Sequence, residues 1–146
     1  MGRKKRLNSF ERKQGSRKAV GPKRISIHFS WEKLDINQGQ SIKDWEDLGL
    51  LSVFCERMRQ IGGYPSLQAL GEQLVKPYPN SGFPSNSNFN EPKHVSPAKW
   101  AVIHITPGSK EVVAGYLEDH IFYIVFLDKE HDFWPTDIQS RGKVKR

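Results

Sequence analysis

The sequence predicts an α+β domain in which two helices pack on one face of a small, mainly antiparallel sheet. Three observations predict it. Residues 25–36 alternate apolar and polar side chains. Residues 41–63 carry an apolar stripe at helical spacing. Residues 100–127 hold three apolar runs joined by short turns.

The elements follow in order. In "ISIHFSWEKLDI", Ile25, Ile27 and Phe29 share one side and Ser26, His28 and Ser30 the other, as in a half-buried strand. "NQGQ" is a turn. Residues 41–63 read as one helix, capped by Ser41 with Asp44 three residues on, and ending at Gly62 and Gly63. Its stripe comprises Trp45, Leu48, Leu51, Cys55, Met58 and Ile61, which makes Cys55 a core residue. "PSLQALGEQLV" is a shorter helix with Pro65 at its first turn and Leu67, Leu70 and Leu74 facing inward. From Lys76 the composition shifts to Pro, Asn, Ser and Gly, and residues 77–99 form a loop long enough to suggest a function of its own. "WAVIHIT" is a strand with Ala101, Ile103 and Ile105 on one face and Val102 and His104 on the other. "EVVAGYLED" and "HIFYIVFL" complete an antiparallel meander. The last run does not alternate cleanly, as expected of a strand covered on both faces. The element order is β-α-α-β-β-β.

Charge divides the chain. Residues 1–24 hold ten Lys/Arg and one Glu, and residues 141–146 hold four Lys/Arg and no acid. The body between them holds nine Lys/Arg against fifteen Asp/Glu. The first segment has too little apolar surface to fold and reads as a disordered basic arm; the last reads as a basic tail; residues 25–140 form a single domain. Arg3, Lys4, Lys5 and Arg6 in the arm suit phosphate contacts. A solubilising tail is the plainer alternative. The longest apolar run is seven residues, so no membrane-spanning segment is expected. One cysteine and the absence of a secretory pattern point to the cytoplasm. No Cys-x-x-Cys, His-Glu-x-x-His or glycine-rich phosphate loop occurs, so neither a metal nor another cofactor is expected.

The segment "FYIVFLDKEHDFWP" and the order of elements together resemble the RelE/HigB superfamily of small toxins, whose last strand runs into an Asp/His-containing segment followed by an aromatic. "PKHVSPAKW" extends the likeness. The resemblance implies a metal-independent endoribonuclease acting on messenger RNA at the ribosome and silenced by a cognate antitoxin protein. Carried onto this chain, it points to Asp128, Lys129 and His131 after the last strand, with His94, Lys93 and His104 as further candidates.

The residue chemistry is compatible with that implication. RNA cleavage by acid–base chemistry needs a base for the 2′-hydroxyl, a cation for the phosphorane-like transition state and an acid for the leaving oxygen. His131 titrates in the right range, Lys129 is a cation, and Trp134 or Phe133 offers a stacking surface for a base. The plainer reading of His131 and Lys129 is a solvated turn after a strand, and of His104 and His28 a surface or second-layer histidine. Two functions therefore stand side by side. One is a RelE-like ribonuclease. The other is a non-catalytic module that binds nucleic acid or protein through the basic arms and an open sheet face.

Overall fold

The computed structural model describes residues 25–95 and 98–135. These form three helices and a five-stranded mixed sheet. The elements are β1 (His28–Ser30), α1 (Ile42–Asp47), α2 (Leu50–Gly62), α3 (Ser66–Gly71), β2 (Lys76–Pro77), β3 (Lys99–His104), β4 (Val112–Glu118) and β5 (Ile121–Asp128). The sheet order is β1-β5-β4-β3-β2. Only the β1–β5 pair is parallel. Among the described residues no helix is long and apolar enough to cross a membrane.

The single helix expected over residues 41–63 is two helices. Ser41 and Asp44 form a reciprocal capping box at the start of α1, each side chain accepting from the other's backbone N–H. The helix stops at Leu48, and Gly49 takes a left-handed conformation at φ 75° that glycine adopts without steric cost. This break resets the helical phase. Phe54 takes the inward position with Trp45 and Ile61, while Leu48 and Cys55 face solvent, contrary to the single-stripe reading. Burying each of these three side chains contributes roughly 1.5–3 kcal/mol. The third helix ends early, at Gly71. Leu67 is exposed, whereas Leu70 and Leu74 pack against the core. The chain then returns as β2, a two-residue edge strand hidden in sequence by Pro77.

Alternation on β3 holds as read. Ala101, Ile103 and Ile105 join the helix-side core, and Trp100 and Val102 point to the other face. On β5 the alternation breaks at one place. Ala114 pairs with Phe126 while the next residue, Gly115, pairs with Ile124, so Val125 is an extra residue on β5. Such a bulge shifts the parity of everything after it. Phe122 and Ile124 lie on the helix side before the bulge, and Leu127 after it. Gly115 accommodates this. A Cβ there would fall 1.9 Å from the Tyr123 carbonyl oxygen.

The second sheet face is not open, which corrects an expectation on which both the ribonuclease resemblance and the binding-module reading drew. The loop after β2 folds over it. Phe83 meets Trp100 and Phe133 edge-on at 5.1 and 5.4 Å, and Phe89 stacks on Phe126 at 4.5 Å. Pairs of this kind add about 0.5–1.5 kcal/mol each beyond the area they bury. Hydrogen bonds fasten the middle of the loop to two different segments. Gln38 exchanges bonds with the Asn90 backbone, and Asn88 donates from its backbone N–H to the Asp132 carbonyl at 2.8 Å and from its side chain to the Asp132 carboxylate. A second, aromatic core therefore lies between sheet and loop.

Candidate active site

Where the covering loop leaves the end of the sheet, a concavity of about 760 Å³ opens. Its walls come from four places in the chain. These are β2 and the loop after it, the end of β3, the β3–β4 turn, and the segment following β5.

The sheet register sets the layout. His104 pairs across to Val112, and Val112 to Asp128, so the three form one row pointing to the loop side. Asp128 is on this side only because of the extra residue Val125. Fully buried, it folds the following turn around its carboxylate, which accepts from the backbone N–H groups of Asp132 at 2.9 Å and Phe133 at 2.8 Å. Burial raises its carboxyl from 3.8 to about 6, against the opposing pull of those N–H groups. The turn puts His131 in a left-handed conformation, φ 61°, which few non-glycine residues adopt. Its ring lies 5.4 Å from that of His104, centroid to centroid, and both line the concavity.

The two imidazoles differ in their settings. His104 Nδ1 lies 3.2 Å from the Ser109 carbonyl. A carbonyl only accepts, so Nδ1 carries the proton and Nε2 the basic lone pair. His131 Nδ1 is buried with no hydrogen-bond partner among the described residues. Burial holds both rings below the ordinary histidine range. The Ser109 carbonyl works against this at His104, and the backbone of His131 itself and of Trp134 works against it at His131. Lys76 adds a repulsive positive charge to each.

Two lysines reach the concavity, and neither is the lysine expected from sequence. Lys76 projects from β2, which pairs with Val102 on the loop side. Its ammonium sits 5.3 Å from the Trp134 ring centre. Lys110 enters from the β3–β4 turn and pairs with Glu130 at 2.6 Å. Lys129, by contrast, does not line the concavity. Its ammonium pairs with Glu130 at 2.9 Å, and its backbone N–H donates to Gln40. The Lys110 and Lys129 hydrogen bonds hold the Glu130 carboxyl down to about 2. Asp128 is likewise a shaper of the turn and is not a lining residue.

The structure thus brings His104, His131 and Trp134 together and leaves the other candidates apart. His94 and Lys93 line a separate hollow of about 580 Å³ beside Asp35 and Gln38, where His94 Nε2 is engaged with the Lys33 carbonyl at 2.9 Å. His28 lies exposed beside His120, where β5 begins, at the opposite end from Asp128. Phe133 is buried in the aromatic core and cannot stack on a ligand. Arg3, Lys4, Lys5 and Arg6 lie outside the described residues. Sequence reasoning missed Lys76, Lys110, Tyr78, Asn80 and Asn86. The one available signal was the Tyr and Asn content of "KPYPNSG", read only as loop. Among the described residues no group of three or more His, Cys, Asp or Glu gathers to hold a metal ion.

No family model, curated protein or solved structure matches the chain.

Proposed function

We propose that the chain is a RelE-like endoribonuclease whose centre is the histidine pair His104 and His131. The observation that carries this reading is the meeting of two desolvated imidazoles, 5.4 Å apart between ring centres, in one concavity with the ammonium groups of Lys76 and Lys110. Acid–base chemistry on a phosphodiester needs those parts.

The roles follow from the hydrogen bonding. His104 Nε2, the basic nitrogen of the tautomer fixed by Ser109, takes the proton of an RNA 2′-hydroxyl. The 2′ oxygen forms a bond to phosphorus as the bond to the 5′ oxygen breaks, and protonated His131 supplies a proton to that leaving oxygen. The products are a 2′,3′-cyclic phosphate and a 5′-hydroxyl. Lys76 and Lys110 steady the added negative charge. Lys110 reaches the phosphate by exchanging its exposed contact with Glu130. The 2′-hydroxyl is the nucleophile, so the substrate is RNA.

Further support comes from the order of elements. A first strand lies beside the last, helices sit between, and a terminal antiparallel meander follows; β2 and the division of the first helix are additions to the expected β-α-α-β-β-β plan. With the resemblance of the last strand, this extends the proposal to a toxin that cuts messenger RNA at the ribosome and is neutralised by an antitoxin. Residues of the long loop occupy the sheet face that both readings expected to be open; the ribonuclease reading rests instead on the concavity at the end of the sheet, and the non-catalytic alternative keeps only the basic arms.

Purified chain is incubated with a single-stranded RNA and with its 2′-deoxy counterpart. The expected result is cleavage of RNA alone, with cyclic phosphate ends. His104→Ala and His131→Ala should each slow it by roughly 10²–10⁴. Expression in bacteria should arrest growth, and His131→Ala should relieve the arrest. Unimpaired cleavage by either variant, or cutting of the deoxy strand, refutes the assignment.

A further inference from the structure

The concavity has two chemically distinct ends. At one end His104, His131 and Lys110 gather around the β3–β4 turn. At the other, Tyr78 and Trp134 meet at a right angle, with ring centres 5.0 Å apart. Asn80 reaches the Tyr78 hydroxyl at 3.4 Å, and Asn86 reaches the carbonyl of Pro135, next to Trp134, at 3.3 Å. Both are long, weak contacts on exposed side chains. Neither asparagine's side-chain oxygen accepts a hydrogen bond from a described residue. Lys76 stands at the junction, over the Trp134 ring, with its charge felt at both histidines.

A ligand that satisfies both ends must join an anion to a flat, uncharged, hydrogen-bonding ring. We infer that the second end is a nucleobase pocket, and that Asn80 and Asn86 make the site selective for one base of a nucleotide splayed out of its strand. The inference rests on the ribonuclease reading for the identity of the anion, a backbone phosphate at the histidine end. A carboxamide offers a donor and an acceptor side by side, the pattern that reads base edges. The aromatic walls accept the face of any base, so they contribute affinity, and the amides contribute choice. A base inside a duplex has its face and pairing edge occupied, so the pocket takes single strands.

Base recognition is measured separately from cleavage by titrating the full-length protein with the sixteen 2′-O-methyl dinucleotides, in which the 2′ oxygen cannot act as nucleophile. Affinity should vary about tenfold or more with the base at one of the two positions and little at the other. Asn80→Ala and Asn86→Ala, both at exposed positions, should flatten that variation. Trp134→Ala should weaken all sixteen by roughly fivefold or more, and Trp134→Phe should restore most of the loss. Binding of all sixteen within about twofold, no measurable binding, or a preference unchanged in both asparagine variants overturns the inference. The same preparation is assayed on unmodified RNA. Base-selective binding without cleavage removes the nuclease reading and leaves the base pocket, whereas cleavage without base preference does the reverse.

Discussion

Asp128→Asn tests the device that presents His131. The Asp128 carboxyl is fully buried, and burial moves it from 3.8 to about 6. The folded chain therefore holds a proton that the unfolded chain has already released between those two values. The stability linked to that proton is fully present below about pH 4 and is lost as pH rises through about 6. A tenfold change in proton affinity is worth about 1.4 kcal/mol, so the shift from 3.8 to about 6 amounts to about 3 kcal/mol. Asparagine cannot titrate. Its oxygen keeps one of the two bonds, to Asp132 or Phe133, and its amide nitrogen confronts the other N–H, a fixed penalty of roughly 1–3 kcal/mol. Urea unfolding of wild type and variant at pH 4, 5.5 and 7.5 reads the difference, and the other titrations cancel. Wild type should lose about 2.5 kcal/mol relative to Asp128→Asn between the lowest and highest pH, a little under the full amount because the unfolded carboxyl is still partly protonated at pH 4. Cleavage should also fall in the variant, because the turn no longer fixes His131. A stability difference constant across pH to within about 0.5 kcal/mol would show that this carboxyl is not held up by burial, and unchanged cleavage would show that it does not position the imidazole.

Three further outcomes follow from the same geometry. Burial keeps both imidazoles below the ordinary value of 6.5, so the bell-shaped pH profile of kcat/KM should peak on the acid side of 6.5. His131→Ala removes a nearby positive charge, so the His104 titration midpoint, followed by NMR, should rise; a midpoint that falls or stays would separate the two rings electrostatically. Gly115→Ala sets a methyl group against the Tyr123 carbonyl and within 2.9 Å of the Phe122 ring, and should destabilise the fold by about 3 kcal/mol in urea unfolding. A loss below about 1 kcal/mol would mean that the bulge yields easily.

Legibility followed the physics of periodicity. The faces of β3 could be read because a strand without a bulge keeps period two over its whole length, and His104 was correctly assigned to the face away from the helices. The helix break at Gly49 and the exposure of Cys55 were not legible, since the apolar residues on either side of the glycine continue a passable single stripe. Covering of the second sheet face was also missed. Phe83 and Phe89 are separated from their partners Trp100 and Phe126 by intervals that no local pattern specifies. For the same reason the histidine in the signature-bearing segment was visible, but its partner lysines were not. Lys76 and Lys110 come from an edge strand and a turn whose approach depends on tertiary pairing.

The stretch that resisted a clean strand reading is the one that builds the site. Were β5 regular, residues 122, 124, 126 and 128 would share the helix side, and Asp128 would enter the aliphatic core without donors to meet its carboxylate. One extra residue at Val125 exchanges the faces, so Leu127 fills the core and Asp128 joins the row that ends at His104. From there a turn of a few residues is enough to lay His131 beside His104. Three features then depend on one another. Gly115 gives the Tyr123 carbonyl its space, the bulge fixes the parity, and the Gln40 side chain receives the Lys129 N–H at 2.7 Å and the Trp45 indole N–H at 3.1 Å, tying the exit of β5 to the helix-side core. Together they fix where β5 leaves the sheet, and with it the turn that carries His131 to His104.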